Sequence, residues 1–179
     1  EDEAWVAGWL AAHDVREPPV VIHPGGRHWF KRWPAEKWAA LLGILLREGR
    51  GPVVLAGGAQ EAADAARILA GAPPGVLSLV GGTTVLQLAA LLARARLFIG
   101  NDSGPMHLAA AAGTRVIALF GPTEPEVWRP WGEGHVVISR HEACSPCAGT
   151  CERGAENCMN QISVEQVAQA VRECAARPG

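Results

Sequence analysis

The sequence predicts an α/β protein whose core is a doubly wound parallel sheet of about six strands. Three observations support this fold class. Short apolar runs alternate with segments whose apolar residues recur at helical spacing. The runs contain few polar residues, which is typical of strands that are buried on both faces of a sheet. Glycine and proline separate the segments, so each strand is expected to lead into a helix that crosses back over the sheet.

Each predicted strand is short, apolar and followed by a turn. Gly57-Gly58, Gly81-Gly82 and Gly100 lie where three of these runs end. In chain order, the predicted strands are Val20–Ile22, Pro52–Ala56, Val76–Val80, Leu97–Ile99, Arg115–Phe120 and His135–Ile138.

The segments between the strands predict helices with one apolar face. Pro34 suits a first helical position, while Thr84 with Gln87 and Ser163 with Gln166 have the spacing of capping boxes. In chain order, the predicted helices are Glu3–His13, Pro34–Leu46, Gln60–Ala70, Thr84–Arg94, Pro105–Ala112 and Ser163–Ala175.

Length and composition limit the classes of function. The 179 residues suffice for one domain with a full hydrophobic core. Apolar residues make up 49% of the chain and charged residues 19%, as in a globular domain. The net charge is -2, so no global basic field exists and nucleic acid is not expected as a partner. No apolar run reaches the roughly 18 residues that a transmembrane helix needs.

The loop after the first strand is the first candidate site. It contains Gly25 and Gly26, which allow close approach of the backbone to a ligand, and the basic residues Arg27, Lys31 and Arg32. A helix begins directly afterwards, and backbone N–H groups with guanidinium forks suit a phosphate or diphosphate. The alternative is a solvated basic loop. The loop has neither the Walker pattern nor the G-x-G-x-x-G fingerprint, which disfavours a dinucleotide enzyme.

The second candidate site follows the fourth strand, in Asn101-Asp102-Ser103-Gly104-Pro105-Met106-His107. A helix start directs free N–H groups above the strand end, and Ser103 and His107 could reach the same ligand. The alternative is an N-cap at Asp102 or Ser103 with a packed histidine. Because carboxyl ends of parallel strands share one edge, both loops are expected to meet there. Thr123, after the fifth strand, could bond the same ligand or stabilise a turn between two prolines.

Two groups of residues resemble the motifs of glycosyltransferase family 9. The first is Asp102 to Ala111 with Gly113, continued by Leu119 to Thr123. The second is His23-Pro24-Gly25 with Lys31-x-Trp33-Pro34 and Trp38. The resemblance extends from Val20 to Val171, with the motifs in the family's order.

The resemblance implies the Rossmann-like C-terminal half of a two-domain GT-B glycosyltransferase, which binds ADP-heptose or a related nucleotide sugar. It implies that Lys31, Asp102, Ser103 and Gly104 contact the diphosphate and sugar, with His107 beside them. An acidic residue after the second strand is implied to hold the ribose; here this is Glu61, and Gln60 is a less certain match. The full set of predicted donor-binding residues is Gly25, Gly26, Arg27, Lys31, Glu61, Asp102, Ser103, Gly104, His107 and Thr123.

The resemblance also implies what lies outside the chain. Residues 1–18 are expected to be an inter-domain linker helix, and residues 19–179 the donor-binding domain. The family's catalytic base is an aspartate of the N-terminal half, so this chain is expected to bind the donor but to be inactive alone. The expected partners are an N-terminal acceptor-binding domain and a lipid or glycan acceptor. The expected location is the cytoplasm, peripherally at the inner face of the bacterial inner membrane. The alternative function is a nucleotide-binding module without a transfer role.

Four cysteines form a local cluster in residues 144–158. Cys144, Cys147, Cys151 and Cys158 have the spacing C-x2-C-x3-C-x6-C, with turn-forming residues between them. Such thiolates can form a tetrahedral metal site, so a structural zinc or iron site is predicted. Similar clusters recur in the family, and some relatives bind iron through them. Two local disulfides or four free thiols are the alternatives. No cofactor is expected for the transfer reaction itself.

Overall fold

The fold is a six-stranded parallel sheet. The computed structural model describes residues 1–140, 142–147 and 149–176. The strands are β1 Val20–His23, β2 Val53–Gly57, β3 Val76–Val80, β4 Leu97–Asn101, β5 Val116–Phe120 and β6 Val136–Ser139. Their order in the sheet is β3-β2-β1-β4-β5-β6. The five strand pairings are all parallel, which confirms the predicted fold class.

Helices cover both faces of this sheet. The six predicted helices are present, with ends that differ by a few residues. Two helices of four residues each and three 3-10 turns were not predicted, because segments this short carry no readable apolar period. The helices are α1 Asp2–Ala12, α2 Ala35–Arg47, α3 Ala62–Gly71, α4 Val85–Leu92, α5 Gly104–Ala111, α6 Pro125–Trp128, α7 Cys158–Gln161 and α8 Val164–Ala176. The 3-10 turns are Trp29–Lys31, Ala59–Glu61 and Gly154–Glu156.

The hydrophobic core has one layer on each face of the sheet. Val20 and Ile22 of β1 face the layer that α2, α3 and α8 cover, whereas Val21 faces the layer under α1, α4 and α5. Because successive side chains of a strand point to opposite faces, a central strand between two helical layers must be apolar throughout. This requirement explains the unbroken apolar runs of the sequence.

The predicted helix starts are confirmed at two capping boxes. Thr84 Oγ1 accepts from the N–H of Gln87 at 3.1 Å, and the Gln87 side chain accepts from the N–H of Thr84 at 3.0 Å. Ser163 and Gln166 form the same reciprocal pair at 3.2 and 2.9 Å. Each box pairs two N–H groups that the helix itself leaves without an acceptor.

Helix α1 packs against the sheet domain. Its buried residues Val6 and Leu10 join the core layer that α4 and α5 also cover. The assignment of residues 1–18 to an inter-domain linker stays a prediction, but this helix shares the domain's own core. Within the described part of the chain, no helix has the length and apolarity needed to cross a membrane.

The sheet positions a site where its strand order reverses. β1 and β4 are neighbours at the centre, with His23 opposite Gly100, and their crossovers run in opposite directions along the sheet. A Cβ on Gly100 would lie 2.7 Å from the Phe98 ring and 3.1 Å from the carbonyl oxygen of His23. Only glycine fits there, so the two strands approach closely where both loops begin. In such sheets, ligands bind beyond the carboxyl ends at this reversal point.

Candidate functional site at the centre of the sheet edge

A hollow of about 300 Å³ lies beyond the carboxyl ends of β1 and β4. We call it the donor hollow. Its lining residues are Arg27, Lys31, Asp102, Ser103, Gly104, His107 and Trp128. The first six were predicted as donor-binding residues, and Lys31 and Ser103 lie in one hollow as the sequence interpretation requires. Larger hollows exist elsewhere, such as one of about 630 Å³ beside β6. The donor hollow is therefore the candidate site because of its basic and polar lining residues, and not because of its volume.

Asp102 is the centre of the polar contacts in the donor hollow. Its Oδ2 atom lies 2.8 Å from Lys31 Nζ and accepts a hydrogen bond of 2.7 Å from Thr123 Oγ1. Asp102 is 9% exposed, and these two donors hold its carboxylate in one place. Thr123 was predicted to bind the donor directly, but the structure places its hydroxyl on Asp102. Its direct contact with a ligand stays a prediction.

Asn101 is a buried residue whose role the sequence analysis did not identify. Its amide nitrogen donates to the carbonyl oxygens of Pro24, at 2.7 Å, and Gly25, at 3.1 Å. Its amide oxygen accepts from the N–H of Trp33 at 3.3 Å. Asn101 therefore holds both ends of the loop after β1 against the end of β4. A polar amide at the end of an apolar strand was the available signal, because a buried amide needs several partners.

Arg27 and His107 are the exposed polar members of the hollow. Within the described residues, neither forms a hydrogen bond or an ion pair, so both side chains are available to a ligand. Two cations, Arg27 and Lys31, face one carboxylate, Asp102, which leaves an excess of one positive charge. α5 begins at Gly104, and its first N–H groups have no acceptor within the helix. A cationic hollow at a helix start is suited to a phosphate.

The glycines of the β1 loop lie behind the hollow. A Cβ on Gly25 would lie 2.6 Å from the His23 ring and 2.8 Å from Glu61 Oε1, so packing alone requires glycine there. A Cβ on Gly26 would come no closer than 3.4 Å to Arg32. Neither glycine lines the hollow within the described residues, and their contact with a ligand stays a prediction.

Glu61 is buried beside the β1 loop and is hydrogen-bonded within its own turn. It is 5% exposed, and its Oε2 atom accepts a hydrogen bond of 2.7 Å from the N–H of Gly58. The 3-10 turn Ala59–Glu61 brings this carboxylate close to Gly25 of the β1 loop. The ribose contact stays a prediction, and the burial of Glu61 disfavours it. Gln60, in the same turn, is exposed.

His23 is buried directly under the β1 loop. Burial lowers its pKa from 6.5 to about 4, since the charged imidazolium is poorly solvated there. Its Nδ1 atom has no hydrogen-bond partner among the described residues. His23 is therefore neutral near pH 7 and contributes no positive charge to the hollow.

Arg32 points away from the donor hollow. Its Nε donates to the carbonyl oxygen of Gly26 at 2.8 Å, and its guanidinium lies 2.9 Å from Asp64 Oδ2. Lys31 and Arg32 are adjacent, but the 3-10 turn Trp29–Lys31 directs them to opposite sides of the loop. Of the three basic residues of this loop, only Arg27 and Lys31 therefore line the donor hollow.

Among the residues that the structure describes, the four cysteines are not arranged as the predicted metal site. The five cysteines are free thiols. Cys144, Cys147 and Cys151 line an exposed hollow of about 280 Å³, whereas Cys158 is buried beside Gly121. Across residues 1–140, 142–147 and 149–176, no three or more His, Cys, Asp or Glu side chains are arranged to hold a metal ion. His141 and Ala148, in the same segment, lie outside the described residues.

Two of the cysteine thiols, Cys147 and Cys158, have pKa values above the ordinary value. Burial raises the pKa of Cys158. Partial burial, together with the neighbouring Cys144 and Cys151, raises the pKa of Cys147. Cys147 and Cys151 also contribute to the rise at Cys158, so these shifts reflect the closeness of the thiols and do not argue against a metal.

A sequence profile of glycosyltransferase family 9 (heptosyltransferase) matches residues 6–156, most of the chain. The chain belongs to this family. Lipopolysaccharide heptosyltransferase 3 of Escherichia coli K12 is 40% identical over 126 residues, which cover 69% of this chain and 37% of that protein.

Two solved structures share the fold of this family member. The glycosyl transferase family 9 protein from Veillonella parvula matches with a TM-score of 0.90 and 24% identity. Escherichia coli ADP-heptose lipopolysaccharide heptosyltransferase II matches with a TM-score of 0.82 and 26% identity. Both matches cover 98% of this chain but only 51% of the other. The chain thus spans about half the length of these relatives, and the activity of the whole protein is a matter for proposal.

Proposed function

We propose that this chain is the C-terminal half of a heptosyltransferase, and that the donor hollow binds the diphosphate of ADP-heptose or a related nucleotide sugar. One observation carries the proposal. Lys31, Arg27 and the amino end of α5 converge on one hollow at the point where the strand order reverses. The names of the relatives support heptose as the sugar and lipopolysaccharide core synthesis as the process.

The contacts of the hollow suit the departure of a nucleoside diphosphate. In glycosyl transfer, the bond between the anomeric carbon and the phosphate oxygen breaks, and negative charge accumulates on that oxygen. The Lys31 ammonium and the free N–H groups at the start of α5 stabilise this charge. Asp102 holds Lys31 at 2.8 Å before a ligand arrives, so the ammonium is fixed in position. Asp102 also presents an acceptor to hydroxyl groups of the donor sugar.

The acceptor side of the reaction belongs to the proposed N-terminal half. Large exposed apolar side chains lie on the carboxyl edge of the sheet: Val85 and Leu86 after β3, and Val127, Trp128 and Trp131 after β5. Such a concentration is typical of a surface that another surface covers. We assign the catalytic base and the lipid or glycan acceptor site to that half, in the cytoplasm at the inner membrane. The proposed reaction needs no cofactor.

Calorimetric titration with ADP, ADP-heptose, UDP-glucose and NAD tests the proposal. ADP and ADP-heptose are expected to bind, and NAD is not. Lys31→Met is expected to weaken ADP binding by about tenfold to a hundredfold, since a hydrogen bond to a charged group contributes about 1.5–3 kcal/mol. Arg16→Gln is the matched control, because Arg16 is 84% exposed and pairs only with Asp14 among the described residues.

Four outcomes would contradict parts of the proposal. Equal binding of NAD would argue against a nucleotide-sugar site, and binding of UDP-glucose alone would remove the ADP-heptose assignment. Sugar transfer by this chain alone would show that the base does not lie in another half. If ADP-heptose binds but the chain joined to its natural N-terminal half transfers no sugar, the chain is a nucleotide-binding module.

A further inference from the structure

A second hollow, of about 430 Å³, lies on the other side of the β1 loop. It is enclosed by the 3-10 turn Trp29–Lys31, the starts of α2 and α3, and the segment around Gly154. Among the described residues, none lines both this hollow and the donor hollow. The turn separates the two, since Lys31 faces the donor hollow while Trp29 and Arg32 face the second one.

The apolar surface of the second hollow comes from tryptophans. Trp33 and Trp38 are buried, with their rings edge to face at 4.9 Å. Trp29 lies in the loop after the buried strand β1, and it is 55% exposed. Its ring is held edge to face against the buried Phe30 at 5.7 Å. An indole fixed in position, yet half exposed at the rim of a hollow, offers a flat apolar face to a ligand.

The polar surface of the second hollow comes from paired charges. Asp64 lies 2.9 Å from the Arg32 guanidinium and 3.7 Å from that of Arg67. With Glu36, the lining has two positive and two negative side chains, so it carries no excess charge. Asp64 and Arg32 remain 28% and 34% exposed, and Arg67 is 74% exposed. Hydrogen-bond donors therefore stand next to acceptors at the rim.

We propose that the second hollow binds a neutral saccharide, with one ring face on Trp29 and adjacent hydroxyl groups on Asp64 and Arg67. A sugar ring has an apolar face of C–H groups and an edge of hydroxyls that both donate and accept. It therefore matches an aromatic face beside paired carboxylate and guanidinium groups. A phosphate fits poorly, because the carboxylates of Asp64 and Glu36 balance the two guanidinium groups. This site goes beyond the proposed donor site and does not depend on it.

Nuclear magnetic resonance of the full 179-residue chain tests the site. Methyl α-mannoside, methyl α-glucoside and maltotriose are titrated into ¹⁵N-labelled protein while the indole N–H signals are followed. We expect a saturable shift of the Trp29 signal with a Kd on the order of 1 mM. Trp29→Ala should weaken saccharide binding, monitored on backbone amides of the hollow, at least tenfold. Arg67→Gln should weaken it several-fold. Trp131→Ala is the matched control, because Trp131 is 89% exposed and lies outside this hollow.

Two results would overturn the saccharide site. One is the absence of any saturable shift at tens of millimolar saccharide. The other is a stronger response of the Trp29 signal to inorganic phosphate than to any saccharide. ADP is titrated into the same samples, and the amide signals of Ser103 and Gly104 are followed. Failure of ADP to bind while saccharides bind contradicts the donor-site proposal alone, and the reverse result contradicts the saccharide site alone.

Discussion

The donor hollow and the cysteine segment, residues 142–158, differ in how the chain holds them together. In and directly around the donor hollow, hydrogen bonds from side chains join residues that are far apart in sequence: Asn101 to Pro24 and Gly25, and Lys31 to Asp102. In the cysteine segment, the bonds are mostly local, as from Ser145 N–H to the Glu142 carbonyl at 2.8 Å. One backbone bond, from Cys147 N–H to the Pro122 carbonyl at 3.0 Å, ties the described part of the segment to the β5 turn.

The comparison shows that residue types make a site only where the fold fixes their positions. The parallel sheet brings the ends of β1 and β4 together whatever the loops contain, so polar residues there must meet. Cysteines on exposed turns have no such constraint. Their spacing allows a metal site, but the described structure leaves three thiols at one exposed hollow and the fourth buried.

The largest expected effect comes from Asn101, beside the donor hollow. Asn101→Ala removes three buried hydrogen bonds and leaves two carbonyl groups and one N–H group without partners. At about 1–3 kcal/mol for an unsatisfied buried group, we expect a loss of about 3–5 kcal/mol in the free energy of unfolding. Weaker ADP binding should accompany it. Urea denaturation and ADP titration measure the two effects.

Asn157 is the matched control for Asn101. It is also buried, but its side-chain bonds reach only Gly154, at 2.8 Å, and Asn160, at 3.1 Å. Asn157→Ala removes an N-cap and should cost about 1 kcal/mol, with ADP affinity unchanged. Equal losses of stability from the two variants would contradict the distinction between the regions.

The next effect is a dependence of stability on pH that arises beneath the donor hollow. The pKa of His23 falls from 6.5 to about 4 in the folded protein, so the unfolded chain binds a proton first as the pH decreases. The contribution of the neutral His23 to the free energy of unfolding is fully present above about pH 6.5. It is lost as the pH falls towards 4, a total of about 3 kcal/mol. Urea denaturation between pH 7 and 4 measures it.

His23→Gln should remove this component of the pH dependence, because glutamine does not titrate. Carboxylates contribute in the same pH range, but they are common to the parent and the variant. An unchanged slope in His23→Gln would mean that the imidazole does not resist protonation in the folded state.

The sequence predicted the fold and the location of the donor hollow because both depend on features that a linear pattern records. The apolar runs identify buried strands, and polar loops after β1 and β4 meet at one edge by topology alone. Lys31, Asp102 and Ser103 could therefore be placed together without a structure. The metal site was predicted from cysteine spacing, which does not record how a turn is oriented.

Side-chain direction within short turns could not be predicted. Lys31 and Arg32 are adjacent, yet they line different hollows because their side chains point in different directions at the end of a 3-10 turn. Glu61 was predicted to hold a ribose; a similar turn buries it on the Gly58 N–H, which the sequence does not show, and the ribose contact stays a prediction. The role of Asn101 was missed because its partners are backbone groups more than 60 residues away in sequence. Such contacts leave no local periodicity.

The smallest expected effects come from two cysteines and test whether the thiols matter to the donor hollow. Cys158 is 5% exposed, and a Cβ on Gly121 would lie 2.7 Å from its Sγ, so it packs on the turn that carries Thr123. Cys158→Ala should cost about 1 kcal/mol and weaken ADP binding at most a few-fold.

Cys147→Ser keeps the backbone bond to Pro122 and should change stability by less than about 0.5 kcal/mol. Thermal unfolding with and without a chelator checks both. A larger loss in Cys147→Ser, together with chelator-sensitive stability, would mean that the thiols hold a metal and that the cysteine segment is as firmly fixed as the donor hollow.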